Sequence, residues 1–311
     1  MLPPLLLEAL SLLPAREVRL VMGTAAEVRV AGVAEPSRAL DAAFAALDRV
    51  DERLSLWRES ELRALNRSGS AIASAELLAV LHAALDVAQA SDGAFDPTVE
   101  PLVRAAGHLD EPARELTAAQ RARLLASVGA RHVHIQGRRV LLDPGTRVDF
   151  GGIAKGYAVD LALAALRAAG ATSGFVDLGG SSQAIFGETL QLSVRDPVDA
   201  EAPPWAKFEL TGAVGSSGGS ERPGHILDPR TGRPARDVLA ATVVAATAME
   251  ADALGTAVFV LGVPRGLALL ARRGASGFVL LREGDVRVLR ATPGFAVAHA
   301  LRTAPGVEVR P

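Results

Sequence analysis

Two runs of alternating apolar and polar residues, 17–22 and 27–31, have Gly23 and Thr24 between them. A connection this short folds the chain back on itself, because a parallel crossover needs a dozen or more residues. The spacing recurs at Gly137-Arg138, flanked by strands at 132–136 and 139–142. Several short strands, punctuated by Gly and Pro, run from 174 to 244, and two more, 277–282 and 286–289, close the chain. Hairpin spacing argues against a doubly wound parallel sheet and for largely antiparallel pairing.

Helical periods interrupt these strands. Behind Pro36, residues 37–54 place Leu40, Phe44, Leu47, Val50 and Leu54 on one face. A second helix is expected over 74–91, with Ser74 as N-cap and Asp92-Gly93 closing it. A third starts at Thr117, with Gln120 as capping-box partner. Further helices are expected over 154–169, 248–261 and 265–273. The fold class is therefore α+β, with largely antiparallel sheets flanked by helices. Residues 15–300 read as one domain, with 1–14 and 301–311 as peripheral termini.

Composition removes several functions. Hydrophobic residues at 49% and charged residues at 22% describe a chain that buries a core. A net charge of −2 without a basic run offers nothing to a nucleic acid backbone. The absence of cysteine excludes disulfides, thiolate metal sites and lipidated cysteine, and leaves the redox compartment open. No apolar run is long enough for a membrane span. Glu8 comes too early, and a basic start is lacking, for a secretory signal. The expected location is cytoplasmic as the chain stands, or periplasmic or extracytoplasmic if a signal peptide has been removed.

The 33 basic residues comprise 31 Arg and only Lys155 and Lys207. Lys155 lies in Val148-Asp149-Phe150-Gly151-Gly152-Ile153-Ala154-Lys155-Gly156, read as a strand, two glycines and a helix start. Exposed N–H groups and an ammonium there suit phosphate, although the Walker spacing is absent. The plainer reading is a tight turn carrying a surface lysine. Asp252 and Thr256, four apart on a helix, share one face and offer hard oxygens to Mg²⁺ or Ca²⁺. The plainer reading is a helix-start acid and a threonine bonded back to the i−4 carbonyl.

Gly215-Ser216-Ser217-Gly218-Gly219 matches GxSxG literally, but the prolines that follow deny it the helix of a nucleophile elbow. A phosphate-lining Gly/Ser loop is the better alternative. His225 and Asp228 are spaced as an acid/base pair, or 228–232 is simply a turn. The sole Asn, Asn66, and one of two Trp, Trp57, also stand out.

Together with Met22-Gly23-Thr24, Leu54-Ser55-Leu56-Trp57, the segments 92–98 and 176–180, and His225–Pro234, these motifs resemble the ApbE family of flavin transferases across nearly the whole chain. The resemblance implies an FAD cleft between the sheets and helices, a need for Mg²⁺, and transfer of FMN from FAD to a Thr or Ser hydroxyl of a target redox protein with release of AMP. It implies FAD contacts at Met22, Trp57, Ala94, Phe95, Asp96, Asp149, Lys155 and Leu227. Metal ligands would be Asp252, Thr256 and the Gly152 carbonyl, with His225 as general base; the three-residue spacing, not the resemblance, adds Asp228 as its companion. Trp57 stands where Tyr is usual, Ser181 where Asp or Asn is usual, and Gly255 where some members add a ligand. A Mg²⁺-dependent FAD pyrophosphatase and a non-catalytic FAD-binding protein are the alternatives.

Overall fold

The computed structural model describes residues 14–197, 201–218 and 224–310. The described residues open with β1 (Ala15–Val21) and β2 (Thr24–Ala31), whose register puts Val21 opposite Thr24, as the two-residue connection requires. There follow α1 (Pro36–Leu54), α2 (Glu61–Ser68), β3 (Ser70–Ile72), α3 (Ala75–Ala90), α4 (Glu100–Ala105) and α5 (Ala118–Leu125). Ser74 caps α3, and the capping box at Thr117 and Gln120 starts α5. The hairpin β4 (Val133–Gln136) and β5 (Arg139–Leu142) joins β3 in a small sheet.

The second half begins with α6 (Ala154–Ala168), β6 (Ser173–Leu178), β7 (Ser182–Val194) and β8 (Ala206–Gly218). A short hairpin of β9 (Leu227–Asp228) and β10 (Arg233–Pro234) precedes β11 (Ala240–Ala245). Then come α7 (Ala248–Leu261), α8 (Arg265–Arg273), β12 (Ser276–Glu283), β13 (Val286–Ala291), α9 (Phe295–Ala298), β14 (Arg302–Thr303) and β15 (Val307–Arg310). The main sheet runs β1-β2-β6-β7-β8-β11-β12-β13-β15, with β14 added to β8. Every pairing is antiparallel except β13 with β15.

Period-two alternation sends one residue set to each face. Val28, Val176, Val243 and Val279 face the core built with α1, α6, α7 and α8. Phe175, Phe278 and Leu280 face the opposite core, with Trp205, Phe208 and Phe295. Two departures from expectation have local causes. β7 and β8 run 13 residues each, because Gly187 marks an irregularity between Ile185 and Leu190 rather than an end. The terminus 301–311 is expected to be peripheral, yet within it β14 joins the sheet at β8 and β15 at its edge. Among the described residues no helix is long and apolar enough to cross a membrane.

Candidate active site

The start of α6 meets the first turns of α7 at Gly156, where an ideal Cβ would lie 2.1 Å from the Ala248 carbonyl oxygen. That approach lets the Gly156 N–H donate to Asp252 Oδ2 at 3.0 Å. Asp252 is 4% exposed, so burial pushes its carboxyl above the usual range. The Lys155 ammonium, the Gly156 N–H and the Ser182 hydroxyl oppose that shift. Lys155 Nζ also donates to Ser181 Oγ. The positive end of α6 thus serves Asp252, not only an outside anion.

Thr256 lies one turn along, its hydroxyl 3.4 Å from Ser217 Oγ and 3.5 Å from the Asp252 carbonyl oxygen. The back-bond of an ordinary mid-helix threonine is therefore present at its limit. Ser216 and Ser217 lie inside β8, not in a loop. Gly215 is there for close packing, since a Cβ would come within 2.6 Å of the Asp252 backbone nitrogen. Gly219 lies outside the described residues.

The segment before the double glycine is no strand. Residues 146–150 are extended without a sheet neighbour, and the side chain of Asn66 stands in for one. Asn66 Nδ2 donates to the Val148 carbonyl at 2.8 Å, and the Val148 N–H donates to Asn66 Oδ1 at 2.7 Å. The next residue, Asp149, donates its N–H to the Pro97 carbonyl at 2.7 Å and accepts from the Gly151 N–H at 2.6 Å. Burial raises its carboxyl. Asn66→Ala is expected to cost about 1–3 kcal/mol, because two backbone groups lose their partners. Asn66→Asp, which keeps only the acceptor, falls between. Urea unfolding with AMP-release kinetics checks this, and an unchanged midpoint would refute it.

Phe95 packs on Gly152, where a Cβ would lie 3.2 Å from its ring and 3.0 Å from Thr256 Oγ1. Asp96 is buried and caps its own turn, accepting from the Thr98 N–H at 2.8 Å and hydroxyl at 2.5 Å. Burial raises this carboxyl too. Ala94 is buried beside them. Met22 has a left-handed backbone, with a φ of 52°, at the β1–β2 turn. The turn after Met22 touches the 179–181 turn, where a Cβ on Gly179 would meet Thr24 Oγ1 at 2.7 Å. Trp57, 61% exposed, stands on a turn whose N–H donates to Ser55 Oγ at 3.1 Å.

The β9–β10 hairpin gives Asp228 a partner of its own. Asp228 accepts from the Arg230 N–H at 2.9 Å and from its guanidinium at 2.8 and 2.9 Å, so it shapes a turn with Arg230. Leu227 is buried. His225 meets His108 edge-on, with ring centroids 6.4 Å apart. Asp160, at the end of the long motif, is also structural: it accepts from the Ala248 and Met249 N–H groups at 2.8 and 2.9 Å and caps α7. Ser181, Ser182 and His108 are the neighbours that sequence spacing did not single out for a role, because contact brings them in from distant segments.

The family model for the ApbE family matches residues 22–279. The chain belongs to the ApbE family. It is 30% identical to the FAD:protein FMN transferase of Escherichia coli strain K12 over 264 residues, 77% of this chain and 75% of that protein. It is 33% identical to the Treponema pallidum FAD:protein FMN transferase over 293 residues, 81% and 80% of the two chains. The flavin transferase ApbE from Vibrio cholerae superposes with a TM-score of 0.84 at 26% identity, covering 92% of this chain and 99% of that one. The apo flavinyl transferase ApbE of Pseudomonas stutzeri gives 0.82 at 27% identity, covering 92% and 96%. The ApbE fold is α+β with a mostly antiparallel sheet, as expected from the hairpin spacing.

The donors of this ApbE chain suit a hard cation. The Asp252 carboxylate is buried, the Thr256 and Ser217 hydroxyls adjoin, and the buried Ser182 hydroxyl makes no hydrogen bond of ordinary geometry. Among the described residues no three His, Asp or Glu side chains gather as a metal cage. One carboxylate with neutral oxygens and water is a set that Mg²⁺ accepts and that Zn²⁺ disfavours.

Proposed function

We propose that this chain transfers FMN from FAD to a hydroxyl of an acceptor protein, as an FAD:protein FMN transferase. The observation that carries the reading is the buried Asp252 held between Lys155 and the Gly156 N–H, inside a fold shared with flavin transferases. Asp252, Thr256 and the Gly152 carbonyl would hold Mg²⁺. When bound, the metal supplies charge neutralisation on the pyrophosphate. Lys155 adds a point charge for the same phosphates. Met22, Trp57, Ala94, Phe95, Asp96, Asp149 and Leu227 line the FAD in this reading, Trp57 as an exposed aromatic platform.

The acceptor hydroxyl loses its proton to a ring nitrogen of His225 as its oxygen bonds to the FMN-side phosphorus. The bond from that phosphorus to the bridging oxygen breaks, and AMP leaves with the bridging oxygen. Asp228 keeps the hairpin in shape through Arg230.

Incubation with FAD and Mg²⁺, with and without an acceptor domain, tests this. AMP released only with acceptor, together with flavin fluorescence on the denatured acceptor, is the expected result. AMP without acceptor would indicate a pyrophosphatase, and no AMP would overturn both. His225→Ala is expected to slow transfer by about a hundredfold or more without weakening FAD binding; equal loss of FAD affinity would refute its role as base.

A further inference from the structure

The main sheet ends on one side in β1, which pairs with β2 and with no other strand among the described residues. β15, at the other end, has only four residues, whereas β1 has seven. The β1–β2 turn decides which amides of β1 are free. Met22 and Gly23 have φ of 52° and 73°, the two left-handed positions of a type I′ connection, so Val21 and Thr24 exchange hydrogen bonds across it. Hydrogen-bonding direction alternates along a strand, so Ala15, Glu17, Arg19 and Val21 turn their amides toward β2. Arg16, Val18 and Leu20 turn theirs outward, to the free edge.

This edge lacks the usual protection. It has no Pro, Lys or bulge, and its register with β2 runs unbroken from Ala15 to Val21. Val18 and Leu20 are 48% and 81% exposed. Arg16 shares their face and bonds to Glu27 at 2.7 Å. On the other face Arg19 bonds to Glu17 at 2.7 Å and to Asp41 of α1 at 2.6 Å.

A second copy of β1, laid antiparallel along the edge, must match its outward amides to these. Three centred registers satisfy that condition. Centring on Glu17 sets the two Glu17 carboxylates face to face, and centring on Arg19 does the same with two guanidiniums; like charges directly opposite repel. Centring on Val18 puts Glu17 of each copy opposite Arg19 of the other, an alternating square of four charges. It also lays Val18 on Val18 and Leu20 beside the Arg16 stem. We infer that β1 is a self-complementary edge through which two copies of this chain dimerise, antiparallel and centred on Val18, joining their main sheets into one. The paired stretch ends at Val21, one residue short of Met22. The inference stands independently of the transferase reading.

Sedimentation equilibrium of the full chain across the micromolar range tests it. A single strand pair makes a small interface, so half-dissociation is expected at about 10–100 µM. Val18→Pro removes an N–H that faces the partner and none that faces β2, a position where a sheet edge tolerates proline. It should stay monomeric with a Tm near the native one. Arg19→Glu and Glu17→Arg should each stay monomeric alone, yet form a heterodimer when mixed in equal amounts, because every facing pair is then of opposite charge. A native chain that stays monomeric, a Val18→Pro chain that dimerises as the native one does, a charge variant that dimerises alone, or a mixture that stays monomeric would overturn the inference.

Discussion

Asp252→Asn is expected to reduce Mg²⁺-dependent AMP release by about a thousandfold, the scale on which a preorganised charge-stabilising group acts. The amide has the shape of the carboxylate and keeps an oxygen for the Gly156 N–H, 3.0 Å away in the native protein. It loses only the negative charge that a cation needs. Because burial is the largest influence on this carboxyl and raises it, the neutral side chain should fold at least as well. Unfolding in urea and AMP release, measured on one preparation, separate the two effects. An active Asp252→Asn enzyme would refute the metal assignment, and an unfolded one would show that the charge supports the fold.

Gly156→Ala is expected to damage both the fold and the site with a single methyl group. Its Cβ would come within 2.1 Å of the Ala248 oxygen, 2.5 Å of the Ala248 carbonyl carbon and 2.7 Å of the Met249 Cα. All three are backbone atoms, so no rotamer change relieves the clash and α6 must move off α7. Overpacking of this kind costs about 3 kcal/mol or more. For a chain of this size each kcal/mol lowers Tm by about 2–4 °C, so a fall near 6–12 °C is expected by calorimetry. Activity should be lost well below the new midpoint, because the same movement separates Lys155 from Asp252. A native Tm would show that the helices have slack at this crossing.

Strand pairing at the hairpins and six of the helices were legible because their causes are local. Pro36, Ser74 and the Thr117–Gln120 box act within a few residues of themselves. The helix α2 shows only two apolar core positions, Leu62 and Leu65, and lacks a capping-box pair of the kind that announces α5. The extended run before Gly151 was read as a strand for want of its real partner, an amide side chain 82 residues earlier in the sequence. Asn66 was conspicuous as the only asparagine, but rarity says nothing about what it binds.

The same division runs through the site. Lys155, Asp252, Thr256 and His225 could be singled out by residue type and spacing, since scarcity, helical period and motif order are properties of the chain itself. Their partners were decided by packing. Glycines at 156 and 215 let α6 and β8 close on α7, which buries Asp252 and places it by Lys155 and a helix N–H. Asp228, three residues from His225, is instead engaged by Arg230, because a turn offers its carboxylate three nearer donors. Covalent order determines which groups lie within reach along the chain. Only excluded volume and desolvation in the folded state determine which of them meet.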